Sequence, residues 1–285
     1  MKKILATCFG VLFVVSTVVA EPILTEDAKC IEKGNMEIGL GASYGVDSWE
    51  WEDTYAGDNK VSLVVAQIPV KYGVTDKLQL NLNIPYRSWK SELEIGTTPI
   101  DTDEAGIGQV CVGGKLGLSE NIAIGLDVQS PTGDVDKSLG EGTNVGLNLI
   151  ATSNLDPVKI SGNAGYLLKT KYEDEDDVEY DPGDTIIIKA ALEYPMKEIS
   201  LIGEAQGQIF GKTKVDDTKV DDSDGSTIDL LAGIQYLKDA MRVKLGVAFA
   251  VGDEDYRAGL NHFYDSWDWK VILSGAYRFE IGSVK

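Results

Sequence analysis

Twelve charged side chains are spaced so that they could act on a solute: Lys71, Arg87, Lys115, Lys159, Lys189, Arg242, Lys244, Lys270 and Arg278, with Asp127, Glu204 and Asp229 among them. Each stands in a segment where polar and apolar residues alternate, and each falls on the polar side. Charges fixed along a wetted wall break no bond, but they attract, repel and orient what passes them. The polar side is net basic, which would favour anionic solutes. The competing account has acids and bases pairing across a narrow interior, or acidic loops folding inward to neutralise the lysines. Asn81, Asn83, Gln129, Asn148, Asn163, Gln206, Gln208 and Gln235 fill in between the charges.

Other chemistries find little support. His262 is the single histidine, with Asp265 three residues on. A histidine base needs a nucleophile or paired acid held beside it, and none can be named, so the sequence is not read as an enzyme. There is no glycine-rich phosphate loop and no cysteine/histidine metal spacing, and no cofactor is expected. The run from Lys171 to Asp184 carries eight acids, Glu173, Asp174, Glu175, Asp176, Asp177, Glu179, Asp181 and Asp184, whose oxygens could take up divalent cations. A solvated acidic loop is the plainer account. The segment Asp221-Asp222-Ser223-Asp224-Gly225 fails as a calcium loop, because Val220 and Leu231 occupy its first and last ligand positions. A net charge of −20 makes nucleic acid an unsuitable partner.

The elements that must position the charged residues are strands. In Ile122-Ala123-Ile124-Gly125-Leu126-Asp127-Val128-Gln129 one side is apolar and the other small or polar, the pattern of a strand facing two solvents. The same alternation marks about twelve segments, joined by short turns and long polar loops in strict alternation. Short turns fall at Gly73-Val74-Thr75-Asp76, Ser119-Glu120-Asn121, Asn154-Leu155-Asp156-Pro157, Pro195-Met196-Lys197-Glu198 and Leu237-Lys238-Asp239-Ala240. Tyr72, Tyr194, Tyr236 and Tyr277 lie at the short-turn level of the apolar side. Tyr44, Tyr86, Tyr166, Phe249 and Trp269 lie at the other level. Two aromatic belts around aliphatic side chains belong where a barrel meets two membrane interfaces. The reading is all-β: a transmembrane antiparallel up-and-down β-barrel of about twelve strands, with short periplasmic turns and long acidic extracellular loops. A β-sandwich would lack the belts, and a propeller would place four strands in each repeat where two long ones stand.

Residues 1–20 have the basic start, apolar run and small-residue site of a signal peptide, which places the protein in the outer membrane after export. Residues 21–34 form a leader expected at the periplasmic mouth, and 35–285 the barrel. Cys30 and Cys111 could pair in an oxidising compartment or remain thiols. The barrel would conduct small solutes passively; the alternative is a closed barrel with a structural or adhesive role at the cell surface.

Several segments in consistent order resemble the MetA-pathway phenol-degradation family of outer-membrane proteins. They are Thr25-Glu26-Asp27-Ala28 with Lys33-Gly34, Gly106-Ile107-Gly108 leading to Gly114-Lys115, Pro131-Thr132-Gly133-Asp134 with Leu139-Gly140-Glu141-Gly142, and Asn163-Ala164-Gly165-Tyr166. The resemblance implies a transporter that passes small, often aromatic or hydrophobic, compounds across the outer membrane, with membrane lipid and the barrel-assembly machinery as partners. It assigns no binding residue. Such barrels commonly end in an aromatic residue, whereas here Tyr277-Arg278-Phe279 is followed by six further residues, Glu280 to Lys285.

Overall fold

The computed structural model describes residues 23–50, 58–95, 98–137, 139–174, 177–220, 223–251 and 268–281. Twelve antiparallel strands close into one barrel. They are β1 (Asn35–Glu50), β2 (Asp58–Thr75), β3 (Leu78–Ile95), β4 in two segments (Thr98–Ile107 and Cys111–Gly117), β5 (Ile122–Gln129) and β6 (Asn144–Leu155). The second half comprises β7 (Val158–Lys169), β8 (Thr185–Met196), β9 (Ile199–Phe210), β10 (Gly225–Lys238), β11 (Met241–Val251) and β12 (Trp269–Glu280). Each strand pairs with its sequence neighbours, and β12 closes the ring on β1 from Asn35↔Glu280 to Val46↔Trp269. Closure leaves no sheet edge in a solvent that cannot hydrogen-bond it.

The two-solvent alternation becomes the two sides of the wall. Along β5 the odd residues are buried or half-buried and the even ones exposed; β8 repeats the pattern from Thr185 to Tyr194. The exposed set is aliphatic, with Leu80, Leu126, Leu147, Ile188, Leu230 and Leu273 each close to half exposed, while Lys115, Lys189, Glu204 and Lys244 are buried on the opposite face. A water-soluble protein has the reverse arrangement; here hydrocarbon is the outer solvent. At the rims Tyr86, Tyr166, Tyr194, Phe249 and Tyr277 are outward and exposed. Tyr44 and Trp269 meet edge to face with ring centroids 5.5 Å apart. The turns at Lys197 and Asp239 use φ of 61° and 52°, the left-handed backbone that matches the twist of a tight hairpin.

The stretch from Lys90 to Gly106, read as a loop, is mostly strand. β3 continues to Ile95 and pairs with the first segment of β4 from Tyr86↔Ile107 to Ile95↔Thr98, so this hairpin extends beyond the belt residue Tyr86. Its start, Lys90-Ser91-Glu92, is polar on both parities, so no alternation announces it there. β4 then breaks at residues 108–110 before its second segment pairs with β3 and β5. Above the long-loop rim, Tyr172–Glu173, Glu179–Asp181, Lys214–Val215 and Thr218–Lys219 form a small four-stranded sheet between two loops.

Candidate functional site: the barrel interior

Two fillings occupy the interior, one toward each end. At the short-turn end the leader, expected at the mouth, runs inside the barrel instead, along the inner wall. Only its last residues lie at the rim, where Gly34 N–H donates to Gly73 O at 2.8 Å. This strap, residues 23–33, has no sheet partner, so its backbone groups must be satisfied by wall side chains. Glu204 on β9 accepts from the N–H groups of Ile23 (2.6 Å), Leu24 (2.8 Å) and Thr25 (2.7 Å). Lys189 Nζ on β8 donates to Leu24 O at 3.0 Å, and Asn163 Oδ1 on β7 accepts from Glu26 N–H at 2.6 Å. Thr152 Oγ1 on β6 accepts from Ala28 N–H at 3.0 Å. Lys115 Nζ on β4 donates to Asp27 O (2.8 Å) and Lys29 O (3.1 Å), and Gln79 Oε1 on β3 accepts from Ile31 N–H at 2.9 Å.

Lys159 Nζ adds an ion pair to Asp27 Oδ2 at 2.5 Å and lies 3.6 Å from Glu193 Oε2. Apolar contacts complete the seating: Ile23 packs with Ile202, Leu231 and Ala248, and Ala28 with Ala123 and Ile150. The space left beside the strap, lined by Glu26, Asn148, Ile150, Asn163, Ile187 and Lys189, is ≈ 10 Å³, about one water.

At the long-loop end the Pro131–Gly142 connection folds against the inner wall. Trp89 Nε1 donates to Lys137 O at 2.9 Å, and Gln109 Nε2 donates to Glu141 O (3.2 Å) and Gly142 O (2.8 Å). Leu139 is 1% exposed, and Asn144 Nδ2 donates to the Glu141 carboxylate. The wall here is apolar on its inner face as well: Val61, Leu63, Val65 and Trp89 are all buried, and Leu63 pairs with Trp89 and Val65 with Arg87 across β2 and β3. A wholly polar interior, as the alternation suggests, is therefore not what the chain builds.

The twelve charged residues divide accordingly. Lys115, Lys159, Lys189 and Glu204 grip the strap. Arg278 Nη2 and Arg242 Nη1 lie 2.9 and 3.8 Å from the two oxygens of Glu37, at the seam where β12 meets β1 and β11. Asp127 Oδ2 accepts from Asn148 Nδ2 at 3.3 Å. Lys71, Arg87 and Lys244 are buried, and Asp229 and Lys270 half-buried. Alternation does not single out the strap residue Ile23 or the loop residue Leu139, since it says nothing about chain that enters from outside the sheet.

Cys30 and Cys111 are free thiols. Cys30 is buried in the strap, its Sγ 3.4 Å from Lys77 O; Cys111 opens the second segment of β4. Over the long-loop rim Lys171 Nζ contacts Glu179 at 2.6 Å and Asp217 at 3.3 Å, joining two loops. Tyr172 and Tyr180 stack with centroids 5.2 Å apart. Burial, then the charge of Glu141, pushes the Tyr172 phenol well above its ordinary range. Among the described residues no group of three or more His, Cys, Asp or Glu is placed to hold a metal ion. Residues 1–20, Glu175, Asp176, Asp221, Asp222, His262, Asp265 and the last four residues lie outside the described set.

Fold, outer face and belts define an outer-membrane β-barrel. The chain belongs to the family described as the MetA-pathway of phenol degradation, which matches over residues 21–264. An outer-membrane channel from Pseudomonas putida F1 has a similar fold, with a TM-score of 0.68 and 14% identity, covering 89% of this chain and 98% of that one. The translocator domain of the autotransporter NalP from Neisseria meningitidis is similar at a TM-score of 0.52 and 11% identity, covering 87% of this chain and 90% of that one. The β domain of the Bordetella autotransporter BrkA follows at 0.51 and 9% identity, covering 87% of this chain and all of that one, 100%. These neighbours are membrane channels and translocators rather than enzymes. No curated protein sequence matches.

Proposed function

We propose that this protein is a passive outer-membrane channel for small solutes, among them aromatic or otherwise hydrophobic compounds, with no cofactor and no chemistry of its own. One observation carries the reading. The inner wall of the long-loop half carries Val61, Leu63, Val65 and Trp89 beside Arg87, all buried, an apolar lining with one charge set in it, the composition that suits an amphipathic ring. That the similar Pseudomonas putida structure is an outer-membrane channel supports it. In this reading the twelve charged residues line the path, and those committed to the strap contribute less to ion selectivity than their charges suggest. Residues 1–20 are removed on export, the barrel-assembly machinery inserts the remainder, and the acidic loops offer oxygens to divalent cations.

A second reading, a closed barrel with a surface structural or adhesive role, is favoured by the two fillings themselves, since strap and loop occupy the interior from opposite ends. Planar-bilayer recording of the purified protein separates the two. Discrete conductance steps, with liposome swelling faster for phenolic than for sugar-sized solutes, are expected of the channel. A folded, inserted and silent barrel would leave the second reading standing.

A further inference from the structure

The strap begins in a pit built for it. Gly233 on β10 and Gly246 on β11 face each other across the pair and point inward. A Cβ at Gly233 would stand 2.4 Å from Ile23 Cδ1, and one at Gly246 2.9 Å from it, so only the absence of both side chains admits the Ile23 tip. Ile202, Leu231 and Ala248 are buried with it, and Ile272 packs at the side, giving an apolar hollow in a largely polar wall. At its rim stands Glu204, paired with Leu231 across β9 and β10, whose carboxylate takes three backbone donors from residues 23–25. The occupant thus presents a small branched apolar group with hydrogen-bond donors beside it. Nothing covalent holds it there.

We propose that this pit is a solute-binding site for a small apolar molecule carrying an O–H or N–H donor, and that Ile23 is its resident occupant, which the solute displaces. The solute's apolar group replaces the Ile23 side chain among Ile202, Leu231 and Ala248. Its donor replaces a strap N–H on Glu204. Displacement frees only the head of the strap, because Lys115, Gln79 and the Gly34–Gly73 contact hold the remainder. The inference rests on the channel reading and gives it a specificity element: a solute without a donor fills the hollow but leaves the Glu204 clasp intact.

The test is amide hydrogen exchange at Ile23, Leu24 and Thr25 of the full-length protein in detergent micelles, with p-cresol and with toluene, which has a similar ring and no donor. p-Cresol should speed exchange at these three amides about tenfold, with Ile31 unchanged and toluene having little effect. Ile23→Ala, which leaves the wall untouched, should bind p-cresol about tenfold more tightly, because the competing side chain is gone. Gly233→Leu should exchange fast without ligand and ignore it. Unchanged exchange in the presence of p-cresol, together with unchanged affinity in Ile23→Ala, overturns the proposal; toluene acting as strongly as p-cresol overturns the role given to Glu204. A protein that conducts in planar bilayers while these amides stay silent loses this site and keeps the channel.

Discussion

At the short-turn end, side chains of the wall reach in and grip a backbone that has no secondary structure; at the long-loop end, a connection folds inward and buries a leucine against the inward side of Gly106 on β4. The first filling is specified by individual polar pairs, Glu204 to three amides and Lys115 to two carbonyls. The second depends on apolar burial, with three side-chain donors, Trp89, Gln109 and Asn144, fixing the loop's path. Charged hydrogen bonds in a desolvated site are worth about twice neutral ones. The two halves therefore differ in what would open them: the strap should respond to removal of single charges, the loop to loss of apolar bulk.

Both fillings presuppose the wall, and breaking it has the largest effect. Leu245 is outward, 43% exposed, and lies on β11 between Phe249 of one belt and Val243, the partner of Tyr236 of the other, so Leu245→Arg should cost about 2–4 kcal/mol of membrane-inserted stability. Leu80 is equally outward but two residues past the start of β3, near the interface, and Leu80→Arg should cost only about 0–1 kcal/mol. Urea unfolding in lipid vesicles measures both. Equal costs would mean that the short-turn rim lies at bilayer mid-depth and that the membrane boundary drawn from the aromatic belts is wrong.

Next comes the grip on the strap. Lys115→Met removes two charge-assisted hydrogen bonds from a buried ammonium and should loosen residues 27–29 by about 2–3 kcal/mol. Cys30 is a built-in reporter, buried beside Lys115 O in the native strap. Its labelling by a maleimide should accelerate by about thirtyfold or more, since each 1.4 kcal/mol is a factor of about ten. Cys111, on the wall, serves as the control. No acceleration would mean that the apolar contacts of Ile23 and Ala28, and not the lysine, seat the strap, and the contrast between the two ends would disappear.

The loop end should answer more weakly to the same kind of change. Trp89→Phe keeps most of the ring and deletes the donor to Lys137 O, so the loop should lose about 0.5–1.5 kcal/mol of protection. Exchange of the Leu139 amide, which donates to Asp134 O at 2.8 Å, reports it. A loss as large as that of Lys115→Met would show the loop to be polar-latched too.

The contrast also marks what could be read from the chain beforehand. Strand positions from β5 to β12 follow directly from residues such as Ile122 to Gln129, because each face of those strands meets one solvent only. Extra length in β3 escapes notice because neighbouring residues of both parities are polar, as at Lys90, Ser91 and Glu92, even though Ser91 is buried inside. The apolar inner patch does leave a trace: Val61-Ser62-Leu63-Val64-Val65-Ala66 is apolar on both parities, as expected of a strand dry on both sides. The strap leaves almost none, since a segment satisfied by side chains from six strands has no period of its own. Its nearest signal is the inward glycines Gly233 and Gly246, which mark a hollow that something else must fill.

Above both halves, the contact joining the two long loops should give the smallest effect, visible only in alkali. The hydrogen bond to Glu179, then that to Asp217, raises the Lys171 ammonium above its ordinary 10.5. A raised amine contributes fully below that ordinary value, and its contribution fades as pH climbs through the raised one. The loops should therefore stay joined up to about pH 10.5 and separate above it. Tyr172, adjacent to Lys171 and stacked on Tyr180, resists ionisation through burial, so its phenol reports the opening. The tyrosinate absorbance difference between the protein and its Tyr172→Phe variant isolates that group. In Lys171→Ala it should ionise at lower pH than in the unmodified chain. Identical titration in the two would place the closure of this rim in the tyrosine stack alone, making the roof, like the loop beneath it, a matter of apolar burial rather than of charge.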